Sequence, residues 1–196
     1  MLGRMLRQLR RLNNGRAQIP TLAPETAPAV QDERAETFFL PFEIRPAELA
    51  DLPHLPAIFR AAIANQAGAP LYTDQQLNAW ATSADNHQHF QAALQEGTTI
   101  IAERHGQAVA FAQLAPADTL RMLYVHPDAC GLGIATLMCQ YLEDEARIAG
   151  SDTLTTDASL LALKFFEGMG FRELERRNIK RNGIALEQAL MEKRLK

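Results

Sequence analysis

The apolar run Leu123-Tyr124-Val125 ends at His126-Pro127, Gly131 and Gly133 follow, and a long amphipathic helical pattern begins at Ile134. This order predicts a strand that runs through a glycine loop straight into a helix, which places the segment in an α/β fold. It also carries chemistry. Glycines remove the side chains that would block a close approach, and the unpaired N–H groups of the first helical turn face an incoming anion. The segment Leu123–Ala135 is therefore a phosphate cradle in outline.

Two nucleotide-binding readings weaken on inspection. A P-loop ends in Gly-Lys-Ser/Thr, whereas Gly133 is followed by Ile134, Ala135 and Thr136. A dinucleotide-binding turn needs a third glycine or alanine where Thr136 stands. Such a domain also starts near its fingerprint, and only about sixty residues follow this one, too few for the remaining βα units.

With 196 residues and 47% apolar content, the chain can bury one sizeable core. Its net charge of −3 is unclustered and gives no support for a nucleic-acid partner. Cys130 and Cys139 lack the paired spacing of a zinc site, and we expect no metal. With no signal peptide they suit a reducing, cytoplasmic setting. No run approaches the roughly eighteen apolar residues of a membrane span.

Residues 1–16 carry Arg4, Arg7, Arg10, Arg11 and Arg16 among Leu2, Met5, Leu6, Leu9 and Leu12. That spacing would make a short amphipathic helix, read as a solvated leader or as a targeting or membrane-surface segment. Residues 17–37 turn to Ala, Pro, Glu and Gln, a composition that cannot offset the entropy of ordering. Residues 1–40 are thus expected to form a flexible extension, and residues 41–196 a single domain.

Within that domain Phe42-Glu43-Ile44-Arg45 alternates as a first strand, and Pro46 to Ala67 has helical apolar spacing. A second helical region covers about Thr73 to Leu94, interrupted near Ser83–Asn86. Strands are expected over Thr98–Glu103 and Gln107–Leu114, joined by His105-Gly106, and over about Thr119–His126. The helix after Gly131 runs to about Ala149, with Gly150 as its cap. Leu154–Thr156 is strand five, Leu160–Met169 the last helix, and the closing strands meet at Asn182-Gly183, a strong hairpin signal. This order predicts an α/β domain with a mixed, mostly antiparallel sheet.

Two blocks resemble the GNAT superfamily of acyl-CoA N-acyltransferases. Its coenzyme A loop reads Arg or Gln, two residues, Gly, one residue, then Gly or Ala, and matches at Cys130, Gly133 and Ala135. Downstream, Asp157-Ala158-Ser159, Ala162 and Phe165-Phe166-Glu167-Gly168-Met169-Gly170-Phe171 resemble the family's closing helix, Ala-Ser-x-Asn-Ala-x-x-Phe-Tyr-Glu-x-x-Gly-Phe. Tyr72-Thr73, Gln76, Ala79-Trp80 and Met191-Glu192-Lys193 further resemble a subgroup of small bacterial members that carry Phe-Phe-Glu. The resemblance spans roughly residues 42–195.

It implies a central sheet of about seven strands, splayed between strands four and five to admit the pantetheine arm of acetyl-CoA. Leu123, Tyr124 and Val125 would line that arm, with amide contacts from Leu123 and Val125. Cys130, Gly131, Leu132, Gly133, Ile134, Ala135 and Thr136 would cradle the pyrophosphate, and Ser159 and Phe165 would flank the arm's other side. The implied activity is transfer of an acetyl group to the primary amine of a small acceptor by direct attack, in a monomer or homodimer.

The chain departs from the family where Phe166 replaces the tyrosine that protonates the leaving thiolate, where Leu161 replaces asparagine, and where Cys130 replaces Arg or Gln. Tyr124 is the first candidate for the missing acid, or else an aromatic filling the far face of its strand. His126 is an acid or base near neutral pH, or a surface residue at a strand end. Asp118 and Asp157 could meet the amine, or serve as turn carboxylates. Ser159 is expected to cap the last helix. Trp80 walls an acceptor pocket or anchors the core, and His87 and His89 read as solvated. Two other readings stay open: an acyl-CoA-binding protein without transferase activity, and an interaction module tethered by residues 1–40. Nothing in the loops Gly68–Thr73 and Ser83–Asn86 marks the acceptor.

Overall fold

The structure, a computed structural model, describes residues 41–65 and 71–195. The expected leader and Pro/Ala-rich extension, and the Gly68–Pro70 part of one acceptor loop, lie outside the described residues. Seven strands and five α-helices follow in the order β1 (Glu43–Pro46), α1 (Leu55–Ala64), α2 (Asp74–Ala81), α3 (His87–Leu94), β2 (Thr98–Arg104), β3 (Gln107–Leu114), β4 (Leu120–Val125), α4 (Ile134–Ile148), β5 (Thr153–Ser159), α5 (Leu163–Gly168), β6 (Arg172–Arg181) and β7 (Ile184–Arg194).

The strands form two antiparallel sheets, ordered β1-β2-β3-β4 and β5-β7-β6. A single parallel bridge, Thr119 to Thr155, joins them. One apolar layer, with Ile100, Ala112, Met138, Leu142, Leu154 and Phe166, lies under α4 and α5. A second, with Leu55, Phe59, Trp80, Phe90, Phe111 and Leu186, lies under α1, α2 and α3. Both faces are covered, the arrangement expected where helices are interleaved with a mixed sheet.

Local chemistry accounts for most boundaries. At both hairpin turns the central residues have positive φ, His105 at 52° with Gly106 at 75°, and Asn182 at 45° with Gly183 at 81°. This is the turn geometry that matches strand twist. Thr73 and Gln76 form a capping box at α2, with Thr73 N–H to Gln76 Oε1 at 2.9 Å and Gln76 N–H to Thr73 Oγ1 at 3.2 Å. Gly150, at φ 87°, closes α4; its N–H donates to Arg147 O and that of Ser151 to Ala146 O. Inside that helix Glu143 is buried, and Lys193 Nζ of β7 meets it at 2.5 Å. Burial pushes the neighbouring Cys139 thiol up to about 12, so it behaves as a small apolar side chain.

Three sequence expectations change. The helix expected over 46–67 is confined to Leu55–Ala64, because Pro46 closes β1 and Pro56 is tolerated only in a helix's first turn. The Arg45–Asp51 ion pair at 2.7 Å holds the intervening segment. Strand five extends to Ser159, since β7 offers it a partner from Arg194 to Gln188. That pairing takes Ser159 out of the last helix. The N-cap is Ala162, with no side-chain cap bond, so Ser159 does not cap it.

Gly97, before β2, has φ 65°, and a Cβ there would meet Leu114 O at 2.2 Å. Gly106 shares a positive φ but faces open space. Gly97→Ala should therefore cost about 2–4 kcal/mol, against about 1 kcal/mol for Gly106→Ala. Denaturant unfolding of the two variants checks this; equal losses would show that the Leu114 contact is not limiting.

Candidate active site

After β4 the chain makes a 3-10 turn, Pro127–Ala129, and passes through Gly131 and Gly133 at φ 79° and 76° before α4 starts. A Cβ on either glycine would meet nothing within 4 Å. Backbone conformation, not crowding, demands glycine here, and the space above both is open. Ile134, 1% exposed, anchors the first helical turn in the core. The first helical bond is Leu137 N–H to Gly133 O, and α4 has neither a side-chain cap nor an acidic residue in its first turn. Among the described residues, no acceptor takes the N–H groups from Gly131 to Thr136. They add to the partial positive charge at the start of a 15-residue helix, an arrangement whose electrostatics favour an anion. Cys130 is exposed, and its thiol turns back to His126 O at 3.6 Å.

The edge of β4 leads into this cradle. His126 N–H donates to Val109 O at 2.8 Å, which makes Val125 opposite Ala110 a non-hydrogen-bonded pair. Val125 and Leu123, two residues earlier, therefore turn their own N–H and C=O groups away from β3. Toward the start of the strand, Asp118 O accepts from Thr155 N–H and Leu120 O from the Thr156 hydroxyl, both at 2.8 Å. The register slips between these two regions, leaving Arg121 as a bulge. β4 and β5 touch at one end and part beyond it, and the free peptide edge of Leu123 and Val125 faces the gap.

Side chains sort by face. Leu123 and Val125 pack toward α4, and Met122 and Tyr124 toward α1 and α2. The Tyr124 ring stacks on Phe111 at 5.4 Å and meets Phe59 and Trp80 edge-on at 4.7 and 6.5 Å. Burial pushes its hydroxyl up to about 12, opposed by the Trp80 indole and the charge of Arg181. Trp80 is 6% exposed, and its Nε1 closes no hydrogen bond of normal geometry among the described residues. Phe166 is buried edge-to-face against Phe165 and Phe171, and Phe165 is half-buried beside it. No proton donor comes from α5 at that position.

The remaining candidates spread out. His126 is half-exposed and accepts from Asp128 N–H through Nδ1 at 3.3 Å; nothing joins it to Tyr124 or Asp157 among the described residues. Asp157 lies inside β5, not at its end, and pairs with Arg177 of β6. Asp118 is a turn residue beside the Thr119 hydroxyl. His87 and His89 are exposed at the start of α3. No group of three or more potential metal ligands occurs among the described residues.

Two other polar residues of this face, Tyr72 and Gln188, were given no role from the sequence. The Tyr72 hydroxyl donates to Glu187 O at 2.6 Å and accepts from Leu160 N–H at 3.0 Å. It thereby ties the start of α2 to β7 and to the segment after β5. Gln188, 5% exposed, shares a face of β7 with Leu186 and lies between Ser159 and Arg177 in register. A glutamine breaking the row Leu186–Leu190 was the readable signal.

A sequence model of the acetyltransferase (GNAT) domain matches residues 68–195. An uncharacterized N-acetyltransferase of Escherichia coli K12, YafP, is 28% identical over 141 residues, 72% of this chain and 88% of its own length. A GCN5-related N-acetyltransferase from Rhodopseudomonas palustris superimposes with a TM-score of 0.75 at 38% identity, covering 78% of this chain and 95% of that one. YncA of Salmonella typhimurium, solved with acetyl-CoA, shares the fold at 21% identity, TM-score 0.56, over 79% and 94% of the two chains. The parted β4 and β5, the glycine cradle and these matches lead to one assignment: the chain belongs to the GNAT acetyltransferase family.

Proposed function

We propose that the protein moves an acetyl group from acetyl-CoA to the primary amine of a small acceptor, by direct attack within a ternary complex. The observation that carries this reading is the pairing of two sets of backbone groups without partners, the outward edge of Leu123 and Val125 and, beyond the bonded turn His126–Cys130, the N–H groups of Gly131–Thr136. The edge of β4 would pair with the pantetheine arm as a strand partner does. The Gly131–Thr136 amides would hold the pyrophosphate, with Ile134 fixing the turn and Ser159 and Phe165 on the arm's other side. Cys130 is too short to add a phosphate contact and lies at the wrong end of the cofactor to act as a nucleophile.

A thioester carbonyl held in the gap would meet a β4 N–H as oxyanion donor. The amine attacks in its neutral form and must shed a proton, for which Asp157, on the face of β5 turned toward α1 and α2, is the candidate carboxylate. Tyr124 would face the leaving sulfur. The phenol is neutral across the neutral range, and although burial makes it a weaker acid, it can donate a hydrogen bond to the developing thiolate. His126, directed to its own turn, has no part in this account. The absence of a donor at Phe166 favours a second reading, binding of acyl-CoA without transfer. Thiol release separates the two.

Calorimetry should show acetyl-CoA binding at micromolar to millimolar concentration, roughly the range of ordinary substrate affinities. Gly133→Ala should weaken it about tenfold through backbone strain. Silence at millimolar ligand would sink the cofactor reading. Tyr124→Phe should lower kcat by roughly 100-fold with the KM for acetyl-CoA unchanged, and a change under twofold removes Tyr124 from the chemistry. The folded Tyr124 hydroxyl ionises later than an unfolded tyrosine, near pH 10, so stability is retained below about pH 10 and falls as pH rises toward 12. Unfolding followed across that window should show a shallower alkaline loss for Tyr124→Phe.

A further inference from the structure

The face of the second sheet turned toward α1 and α2 holds several polar groups, gathered beside the gap. Trp80 Nε1 is buried and has only the Tyr124 hydroxyl in reach, without a hydrogen bond of normal geometry, and Arg177 Nε is buried without a partner of its own while the Nη atoms meet Asp157 and Glu175. Gln188, 5% exposed, lies on the same face. A buried polar atom left without a partner is uncommon in a native fold and points to something else that satisfies it.

These groups are neighbours. Gln188 is the register partner of both Ser159 and Arg177. The Tyr72 hydroxyl sits over that row, bonded to Glu187 O and Leu160 N–H, and the Tyr72 and Trp80 rings meet at 5.9 Å. Trp80 in turn faces Tyr124.

Charge divides across the same face. Asp157 lies on β5 at the gap, and one of its oxygens is taken by Arg177. Arg181 lies on β6 two residues beyond Ile179, which packs into the layer under α2, so the two side chains leave the strand on the same side. Arg181 forms no ion pair among the described residues, yet its charge is felt at the Tyr124 hydroxyl. Arg177 is held by Asp157 and Glu175, which leaves the Arg181 guanidinium as the charged donor of this face, beside the Trp80 indole, and that suits an acceptor rich in lone pairs and carrying negative charge.

Resting on the acetyl-transfer reading, we propose that the acceptor is a small amine that also bears an anionic group, with the ammonium end at Asp157 and the anion at Arg181, Trp80 and Gln188. A carboxylate and a phosphate monoester share this chemistry. The face disfavours polyamines, whose second cation would meet Arg181.

Trp80 is the sole tryptophan of the chain, so its fluorescence reports the site directly. The full-length protein, loaded with CoA so that no turnover occurs, is titrated with α-amino acids, their primary amides, phosphoethanolamine and diamines. Thiol release with acetyl-CoA is followed over the same panel. The anionic amines should bind at least tenfold tighter than the matched amides and diamines. Arg181→Gln should cut that preference by roughly tenfold to a hundredfold through KM with kcat little changed, and Arg181→Lys should restore part of it. A preference for amino acids identifies a carboxylate, and one for phosphoethanolamine a phosphate. Equal or tighter binding of amides or diamines overturns the inference while leaving acetyl transfer intact. Anion-selective binding without thiol release from any amine supports the site and overturns the transferase reading instead.

Discussion

The unpaired edge of β4 is the constraint on which the rest of the site depends. A strand inside a sheet ordinarily has both rows of peptide groups paired, because a buried, unbonded N–H or C=O is costly. Here the bulge at Arg121 exchanges the row that faces outward, so β5 pairs near Leu120 and not beyond. The sheet is thereby two sheets held at one point, Thr119 to Thr155. The gap between them is lined by the peptide groups of Leu123 and Val125 that do not pair with β3.

That constraint gives the domain two working faces. On the α4 side, positive-φ glycines and an uncapped helix start make an anion cradle in line with the gap. On the α1–α2 side, aromatic rings enclose Tyr124, and polar groups from three strands collect around Gln188. The cofactor would enter through one face and the amine through the other, meeting where β4 and β5 part. α2 contributes to the second face because its ends are tied to the β6–β7 hairpin, by Gln76 to Ala185 O at 2.9 Å and Thr82 to Asn182 at 2.9 Å.

Much of the fold was legible because its signals are local. Gly131 and Gly133 precede an amphipathic run, Asn182-Gly183 separates two strand patterns, and Thr73 stands three residues before Gln76. Each works through bonds within a few residues. Boundaries set by distant partners were not readable. Ser159 has the composition of a helix cap, but β7 pairs with it and makes it the end of a strand. The long helix expected from Pro46 fails for a similar reason, since Arg45 binds Asp51 and Glu103 and holds the chain off the helix.

The sequence by itself determined the glycine loop that leads β4 into α4, the order of strands and helices, and the family, because these reside in contiguous motifs with fixed backbone demands. It also determined that α5 brings no phenol at Phe166. Only the tertiary structure decided that Leu123 and Val125 point their peptide groups into the gap, since this follows from which residue of β3 each one opposes. Only the tertiary structure placed Tyr124 with Trp80 of α2, Asp157 with Arg177, and Ser159 with Gln188, between elements twenty and more residues apart. Side chains at such separations meet through sheet register and helix packing, and no local spacing encodes either.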